Sequence, residues 1–353
     1  MTTINYLANL PAEILINIFG HLKGADLIKL TRVNKTWNKI IGNSQMDKIC
    51  IKSNDSSTQN LFEIRDIFQY TDREYKNIRM FSVKAVNFES FQTYGFKWKS
   101  VKLAHSSISS YEVLKEFILK FVNTLVELDL EHLTFPSRFD KTPIVLPKLK
   151  VLRCAHFRFE ADILKMLECN IGNLREFAVT YRSFHDDNIP IMYLTNKLEV
   201  LRVSGTPQAE ATTPNLNQFL LLQKDHLREI QVDAMSKLTL QLIWNELKCY
   251  KVVTNGNCDL LINNSNFILQ RNTNIQIIFM SRFMQYSLLD KIVHASPNLK
   301  HISTPSFRSK IIHIVVDKLT KLQELYSYKT ENGNVRRAVT FKVHESTIDI
   351  STE

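Results

Sequence analysis

The chain has 353 residues, of which 44% are hydrophobic and 23% are charged, a composition typical of folded proteins rather than disordered ones. Five cysteines, never spaced as CxxC, argue against a disulfide framework and a zinc module and favour a reducing compartment, either cytoplasmic or nuclear. The formal net charge of +10 favours anionic partners, but the lysines and arginines form no run longer than a pair.

The ends and interior of the sequence carry no targeting or catalytic pattern. Pro11 and Glu13 interrupt the stretch that a secretory signal would need to keep apolar, and no window reaches bilayer-crossing length. HExxH, GxSxG and phosphate-binding glycine loops do not occur in the sequence. We therefore expect no catalytic residue, no cofactor, no metal and no membrane contact.

Three short helices are predicted between residues 7 and 42. Pro11 suits a first helical turn because its missing N–H would have no partner there. Gly24 is predicted to end the first helix, the second helix to begin near Asp26, and Asn34 to cap the third. Apolar residues at spacings of three and four give the first helix one broad apolar face: Ile14, Leu15, Ile18, Phe19 and Leu22.

Helices this short have too little interior to bury all of their apolar side chains against one another. The pattern therefore predicts an apolar surface that a partner protein covers. The alternative is an ordinary helical bundle packed against the rest of the chain.

The spacing LPxEILxxIFxxLxxxDLxxLxxVxxxW, which runs from Leu10 to Trp37, resembles the F-box. The resemblance implies an F-box over residues 1–45 that binds the Skp adaptor, which in turn binds a cullin scaffold. It assigns the adaptor contact to ten residues: Leu10, Pro11, Ile14, Leu15, Ile18, Phe19, Leu22, Leu27, Leu30 and Trp37. Five residues divide between this contact and the module's own core in a way that the pattern leaves open: Leu22, Leu27, Leu30, Val33 and Trp37.

A second pattern, the hexapeptide LxxLxL, recurs along the chain at steps of 20 to 29 residues. The clearest copies are LVELDL, LKVLRC, LREFAV, LEVLRV, LREIQV, LKHIST and LQELYS, which begin at residues 125, 149, 174, 198, 227, 299 and 322. Weaker copies begin at Leu247 and Ile275, and looser ones cover residues 48–53, 75–80 and 98–103. A unit of this length cannot bury its apolar stripe alone, whereas stacked units share one core.

This period and core resemble the leucine-rich repeat. The resemblance implies an α/β solenoid of ten to twelve irregular repeats over residues 46–345, a horseshoe with a parallel concave sheet and convex helices, and a tail at 346–353. A doubly wound α/β sheet also alternates strands and helices, but it would not repeat one hexapeptide. Segments of helical periodicity between the copies lie near residues 113–122, 163–171, 288–293 and 311–319.

The copies depart from the leucine-rich repeat at one position. The polar Asn or Cys expected after the second leucine is missing, and Leu133 and Phe157 occupy comparable places. Near the end of the chain, alternating Val339, Phe341 and Val343 predict a final strand.

If the leucines of each copy point inward, the residues between them alternate onto the concave face. This face then carries mixed charge, including Arg153, Arg202 and Glu229, with aromatic groups toward the end of the chain. The pattern predicts substrate contacts at Lys251, Phe279, Tyr326 and Tyr328. Because a slip of one residue exchanges the two faces of a strand, the alternative places Ile277 and Phe279 in the core.

Taken with the two resemblances, these patterns predict the substrate-recognition subunit of a Skp–cullin–F-box ubiquitin ligase. Its partners would be the Skp adaptor, a cullin and an unknown protein substrate, without homo-oligomer formation. Two alternatives remain: an F-box scaffold that acts without ubiquitination, and a basic repeat protein associated with nucleic acid, which the scattered charge makes the weaker idea.

Overall fold

The structure is a computed structural model. It describes residues 10–22, 24–44, 48–52, 76–82, 97–108, 110–134, 142–155, 160–167, 170, 172–184, 197–205, 213–255, 268–280, 286–305, 319, 321–331, 334–343 and 348–352. The chain divides into two compact units, Met1–Leu149 and Lys150–Glu353. The predicted domain boundary after residue 45 lies inside the first unit.

Three helices open the first unit: α1 (Ala12–Gly20), α2 (Gly24–Leu30) and α3 (Lys35–Ser44). We call them the helical module. The side-chain oxygen of Asn34 accepts hydrogen bonds from the backbone N–H groups of Thr36 at 2.7 Å and Trp37 at 3.4 Å, which confirms the predicted cap of α3.

The first helix ends earlier than predicted. The N–H groups of His21 and Leu22 bond to the carbonyls of Ile18 and Phe19, three residues back, which tightens the last turn after Gly20. Gly24, predicted to end this helix, is instead the first residue of α2.

Four parallel strands follow in the first unit, in the order of the chain: β1 (Lys48–Lys52), β2 (Asn77–Phe81), β3 (Ser100–Ala104) and β4 (Glu127–Glu131). Helix α4 (Tyr111–Leu119) connects β3 to β4, and its cap residue Ser110 accepts a hydrogen bond from the N–H of Val113. The strands and the helix lie where the repeat pattern and the helical periodicity predicted them.

The second unit continues the same pattern with eight parallel strands: β5 (Val151–Ala155), β6 (Glu176–Thr180), β7 (Val200–Ser204), β8 (Glu229–Val232), β9 (Lys251–Thr254), β10 (Ile277–Met280), β11 (His301–Pro305) and β12 (Glu324–Glu331). The described crossover elements are helices α5 (Glu160–Met166), α6 (Thr213–Leu222), α7 (Lys237–Glu246) and α8 (Tyr286–Ala295) and a 3₁₀ helix at Tyr181–Phe184. The helix predicted at 311–319 lies almost entirely outside the described residues.

Two antiparallel strands complete the second unit, β13 (Asn334–Val343) and β14 (Ile348–Thr352). The predicted final strand is part of β13. Within the segment predicted as a tail, residues 348–352 pair with Val339–Val343 and so satisfy their backbone groups in the sheet.

Strand order follows chain order within each unit, from β1 to β4 and from β5 to β14. A doubly wound sheet would reverse its strand order at some point, so this sequential order favours a solenoid-like α/β arrangement. Inward residues of the strands and apolar residues of the helices form the buried layer of the second unit: Leu152, Phe177, Leu201, Ile230, Ile278, Leu216, Phe219, Ile243, Trp244 and Ile292.

The repeat frame at β9 differs from the prediction by two residues. The register pairs Lys251 with Glu229, so the residue equivalent to Leu227 is Cys249 and not Leu247. Both Leu247 and Cys249 are buried, and a buried cysteine packs like a small apolar residue. A shift of two residues keeps the faces of the strand, so Lys251 stays on the outward face.

Polar side chains in the turns before the strands bind backbone groups of the preceding repeat. These positions differ from the one after the second leucine, where a leucine-rich repeat is expected to carry Asn or Cys. The bonds run from Thr124 to the carbonyl of Trp98, from the N–H of Leu198 to Gln223, from Asn272 to the carbonyls of Trp244 and Leu247, and from Asn298 to the carbonyl of Thr273. Each bond joins neighbouring repeats and satisfies a backbone group that no strand pairs.

Candidate interaction surfaces

The helical module has its own small core. Leu15 and Phe19 lie one turn apart on α1 and pack with Leu27, Trp37 and Ile41, all at most 6% exposed. The rings of Phe19 and Trp37 meet edge to face with centroids 5.8 Å apart.

This core corrects part of the predicted adaptor contact. Leu15 and Phe19 were assigned to the adaptor contact, but they are buried inside the module. Leu27 and Trp37, for which the pattern left both contact and core open, are buried there as well. The reason is geometric: positions 15 and 19 of α1 face the other helices of the module, so their side chains bury one another first.

Four apolar residues in α1 or directly beside it lie on the outer surface. Pro11, Ile14, Ile18 and Leu22 follow one another at spacings of three and four, and we call them the exposed stripe. Ile14 is 46% exposed, Ile18 38% and Leu22 37%. Ile14 and Ile18 lie one turn apart on one flank of α1, beside the core residues rather than among them. Pro11 precedes the helix and Leu22 follows its last turn.

Other residues extend this apolar surface or border it. Leu10 and Leu30, both predicted contacts, are half-buried and pack against the module's core. Ile16 and Val33 are also exposed. The F-box pattern left Val33 open between the contact and the core, and it did not assign Ile16 to the contact. Ile16 was missed because it lies on the opposite flank of α1, off the predicted face. Clusters of exposed apolar groups of this kind are typical of protein-binding surfaces.

In the first unit, the outward face of β3 and β4 carries a cluster of charge. Lys102 donates to Asp129 and to Glu131, each at 2.9 Å. Partial burial alone would lower the pKa of Lys102, but hydrogen bonds to Glu131 and Asp129 and their negative charge outweigh it and raise the pKa. Lys102 therefore stays positively charged at neutral pH.

The second unit carries an alternating series of charges on the face opposite its buried layer, which we call the open face. Arg153 Nε and Arg202 Nη1 lie 2.8 and 2.7 Å from the same carboxylate oxygen of Glu176. Arg202 Nη2 lies 3.7 Å from Glu229, which in turn lies 3.1 Å from Lys251 Nζ. We call these five residues the charge ladder.

An aromatic ring follows the charge ladder on the next strand. Lys251 Nζ lies 5.7 Å from the centroid of the Phe279 ring, and Phe279 is 40% exposed. Ile278 and Met280 are buried, so the alternative that placed Phe279 in the core is wrong.

The side chains of three of the four predicted substrate contacts are described in the structure. Lys251 and Phe279 touch, and Tyr326 is half-buried in the same lateral row as Phe279, with Ser303 between them. Tyr328 belongs to β12, but its side chain lies outside the described part of the structure. Glu176, which links two arginines, was not singled out in the sequence, although LREFAV and LREIQV place it in the same position as Glu229.

The described cysteines differ in exposure, which gives a direct chemical test. Cys154 and Cys249 are buried, and burial raises the pKa of the Cys249 thiol to about 12, whereas Cys50 is exposed. We expect a thiol-alkylating reagent at neutral pH to modify Cys50 within minutes and to leave Cys154 and Cys249 intact until the chain is denatured. Peptide mass spectrometry over a time course measures this, and early modification of Cys249 would contradict the described packing.

A match to a known protein family covers the helical module. Residues 7–52 match the family model described as F-box-like, a range that spans α1 to α3 and β1. A search of curated proteins found no significant match. Among the described residues, no helix combines the length and apolar character that crossing a membrane requires.

Proposed function

We propose that this protein is the substrate receptor of a Skp–cullin–F-box ubiquitin ligase. The helical module binds the Skp adaptor through the exposed stripe, and the open face binds a target protein. The observation that carries the proposal is the coincidence of an F-box-like match at residues 7–52 with apolar side chains left exposed on α1.

In this function the chain contributes no catalytic group. The receptor holds its target near the ubiquitin donor and so raises the effective concentration of the target's lysines. The repeats supply a long surface for the target, and the mixed charge and aromatic group of the open face are common at protein-binding surfaces.

The direct test is reconstitution from purified components. The full chain is mixed with the Skp adaptor and a cullin and analysed by size-exclusion chromatography. We expect a complex of all three proteins, and a chain that elutes apart from the adaptor would overturn the proposal.

An F-box scaffold that acts without ubiquitination would also bind the adaptor. The two functions differ in the fate of the proteins bound to the repeats. Capture of partners while the proteasome is blocked, followed by measurement of their half-lives after depletion of the chain, separates them. Longer half-lives favour the receptor, and unchanged half-lives for every captured partner favour the scaffold.

A further inference from the structure

The open face of the second unit carries no excess of positive charge. Its strands place three cations and three carboxylates there: Arg153, Arg202, Lys251, Glu176, Glu229 and Glu324. The chain as a whole nevertheless has a formal net charge of +10. The excess therefore lies on other surfaces of the chain.

A large part of this excess lies on the segments that lead into β5 to β12, which we call the entry edge. Its described residues are 150, 172–175, 197–199, 223–228, 247–250, 268–276, 296–300 and 321–323. They contain nine lysines and arginines: Lys150, Arg175, Lys197, Lys224, Arg228, Lys248, Arg271, Lys300 and Lys321. They contain two carboxylates, Glu199 and Asp225, so the described entry edge has a formal excess of seven positive charges.

The repeat brings together cations that are far apart in the sequence. Each strand from β5 to β12 is preceded by at least one of the nine. The residues directly before successive strands also bond to one another: the N–H of Arg175 bonds to the carbonyl of Lys150 at 2.8 Å, and that of Tyr250 to the carbonyl of Arg228 at 2.9 Å. Because neighbouring strands are about 4.8 Å apart, these eight strands hold the cations along a line of roughly 34 Å.

Most of these cations are available to a ligand. Three of the nine have a partner at the surface: Arg175 with Glu199 at 3.9 Å, Lys248 with Asp225 at 2.7 Å, and Lys321 with Asn298 at 2.8 Å. Exposed pairs of this kind are weak, so a phosphate group can compete for the cation. The other six form no ion pair within the part of the chain that the structure describes: Lys150, Lys197, Lys224, Arg228, Arg271 and Lys300.

The side chains between the cations are mostly polar. Exposed amide and hydroxyl groups lie on the entry edge at Asn173, Gln270, Thr273, Asn274 and Gln323. Among its described residues, the exposed apolar or aromatic side chains are Tyr250 and Ile268, too few for the apolar core of a protein interface. Lysine, arginine and polar side chains of this kind are the groups that contact phosphate oxygens in nucleic-acid complexes.

Tyr250 gives the entry edge a place for a base. It lies directly before β9, is 40% exposed, and is bonded through its backbone N–H to Arg228. An aromatic ring beside a track of cations is typical of proteins that bind single-stranded nucleic acid, because the bases stack on the ring while the backbone follows the positive charge.

We infer that the entry edge of the second unit binds single-stranded nucleic acid, with its lysines and arginines along the phosphates and Tyr250 against a base. This inference goes beyond the proposed function and does not depend on it. The adaptor contact belongs to the helical module in the first unit, whereas the entry edge belongs to the second.

Fluorescence anisotropy with the full chain tests this inference. The probe is a labelled single strand of about 15 nucleotides, prepared both as RNA and as DNA, and the comparison ligands are the duplex of the same sequence and a polyglutamate peptide of equal charge. We expect the single strand to bind at least about tenfold more tightly than either. The logarithm of its affinity should fall with the logarithm of the salt concentration with a slope of about −4, which corresponds to about six phosphate contacts.

A triple variant removes three unpaired cations of the entry edge: Lys197→Gln, Arg228→Gln and Lys300→Gln. Affinity for the single strand at low salt should fall at least about tenfold, and the salt slope should become shallower by about 2. The matched control is the triple variant Lys29→Gln, Lys35→Gln and Lys39→Gln, which changes the net charge equally but lies on the helical module. It should bind the single strand like wild type.

Two single variants add readouts that a fold defect cannot imitate. Asp225→Asn should tighten binding about twofold, because it removes an exposed carboxylate from the entry edge. Tyr250→Ala should weaken binding at least about fivefold, whereas Tyr250→Phe should retain it, since stacking needs the ring and not the hydroxyl group.

Four results would overturn the inference: equal losses in the two triple variants, affinity that does not change with salt, tighter binding of the polyglutamate peptide, or tighter binding of the duplex. The third would assign the entry edge to acidic protein segments and the fourth to double-stranded nucleic acid. Adaptor binding is measured on the same preparations, so that a failed adaptor interaction and a failed nucleic-acid interaction are told apart.

Discussion

Ile18→Asp should weaken binding of the Skp adaptor at least about thirtyfold while the helical module stays folded. Ile18 is 38% exposed in the free chain, so the charge can remain hydrated and the free energy of unfolding should change by less than about 0.5 kcal/mol. In a complex that covers the exposed stripe, the same carboxylate would be buried without a partner. A central apolar anchor contributes about 2 kcal/mol or more, so affinity should fall at least about thirtyfold.

Calorimetric titration of the purified adaptor into wild type and variant measures this change. Leu238→Asp is the control, because Leu238 is a 63% exposed apolar residue on α7 of the second unit. It should bind the adaptor like wild type. If Ile18→Asp retained wild-type affinity with an unchanged thermal midpoint, the exposed stripe would not be the adaptor contact.

The contrast between Ile18 and Phe19 shows what periodicity alone could predict on α1. Spacings of three and four predicted a helix and an apolar face, and both are present. The apolar face is wide enough to serve two surfaces, and its division depends on where the other two helices of the module lie. No local pattern contains that information, so the sequence assigned Leu15 and Phe19 to the partner when they belong to the core.

Helix α7 shows a different limit. Its sequence KLTLQLIWNE begins with apolar and polar residues in strict alternation, which is the period of a strand, so the periodicity predicted no helix there. In the structure Ser236 caps the segment by accepting a hydrogen bond from the N–H of Thr239, and Leu240, Ile243 and Trp244 are buried on one side. Capping and tertiary packing outweigh the alternation.

The open face was predicted more completely than the helical surface, and for a physical reason. Side chains in a strand alternate with a period of two, so one buried leucine assigns the face of every other residue. The sequence placed the start of the β9 repeat at Leu247 instead of Cys249, yet this shift of two residues still predicted Lys251 on the outward face. The aligned copies also contained the lateral register of β5 to β8, with Arg153 and Arg202 in one row and Glu176 and Glu229 in another. What the sequence lacked was the side-chain geometry that joins these two rows into the ion pairs of the charge ladder.

Asn272→Ala should be among the most destabilising single changes in the second unit. Asn272 is 5% exposed, and its side chain donates to the carbonyls of Trp244 at 2.9 Å and Leu247 at 3.0 Å. Its side-chain oxygen also accepts a hydrogen bond from the N–H of Asn274. Alanine would leave these three backbone groups without that partner, and water has little access to the site. The expected loss in free energy of unfolding is about 2–4 kcal/mol.

Asn298→Ala is the matched control for this prediction. Asn298 donates a similar bond to the carbonyl of Thr273 at 2.7 Å, but at a more solvent-exposed position where water can replace the amide. Its loss should cost less than about 1 kcal/mol. Hydrogen exchange read by peptide mass spectrometry measures both variants locally, since protection in β9 and β10 should fall sharply only in Asn272→Ala. Equal losses in the two variants would mean that burial of the asparagine does not set its contribution, and that these turn residues do not hold neighbouring repeats together.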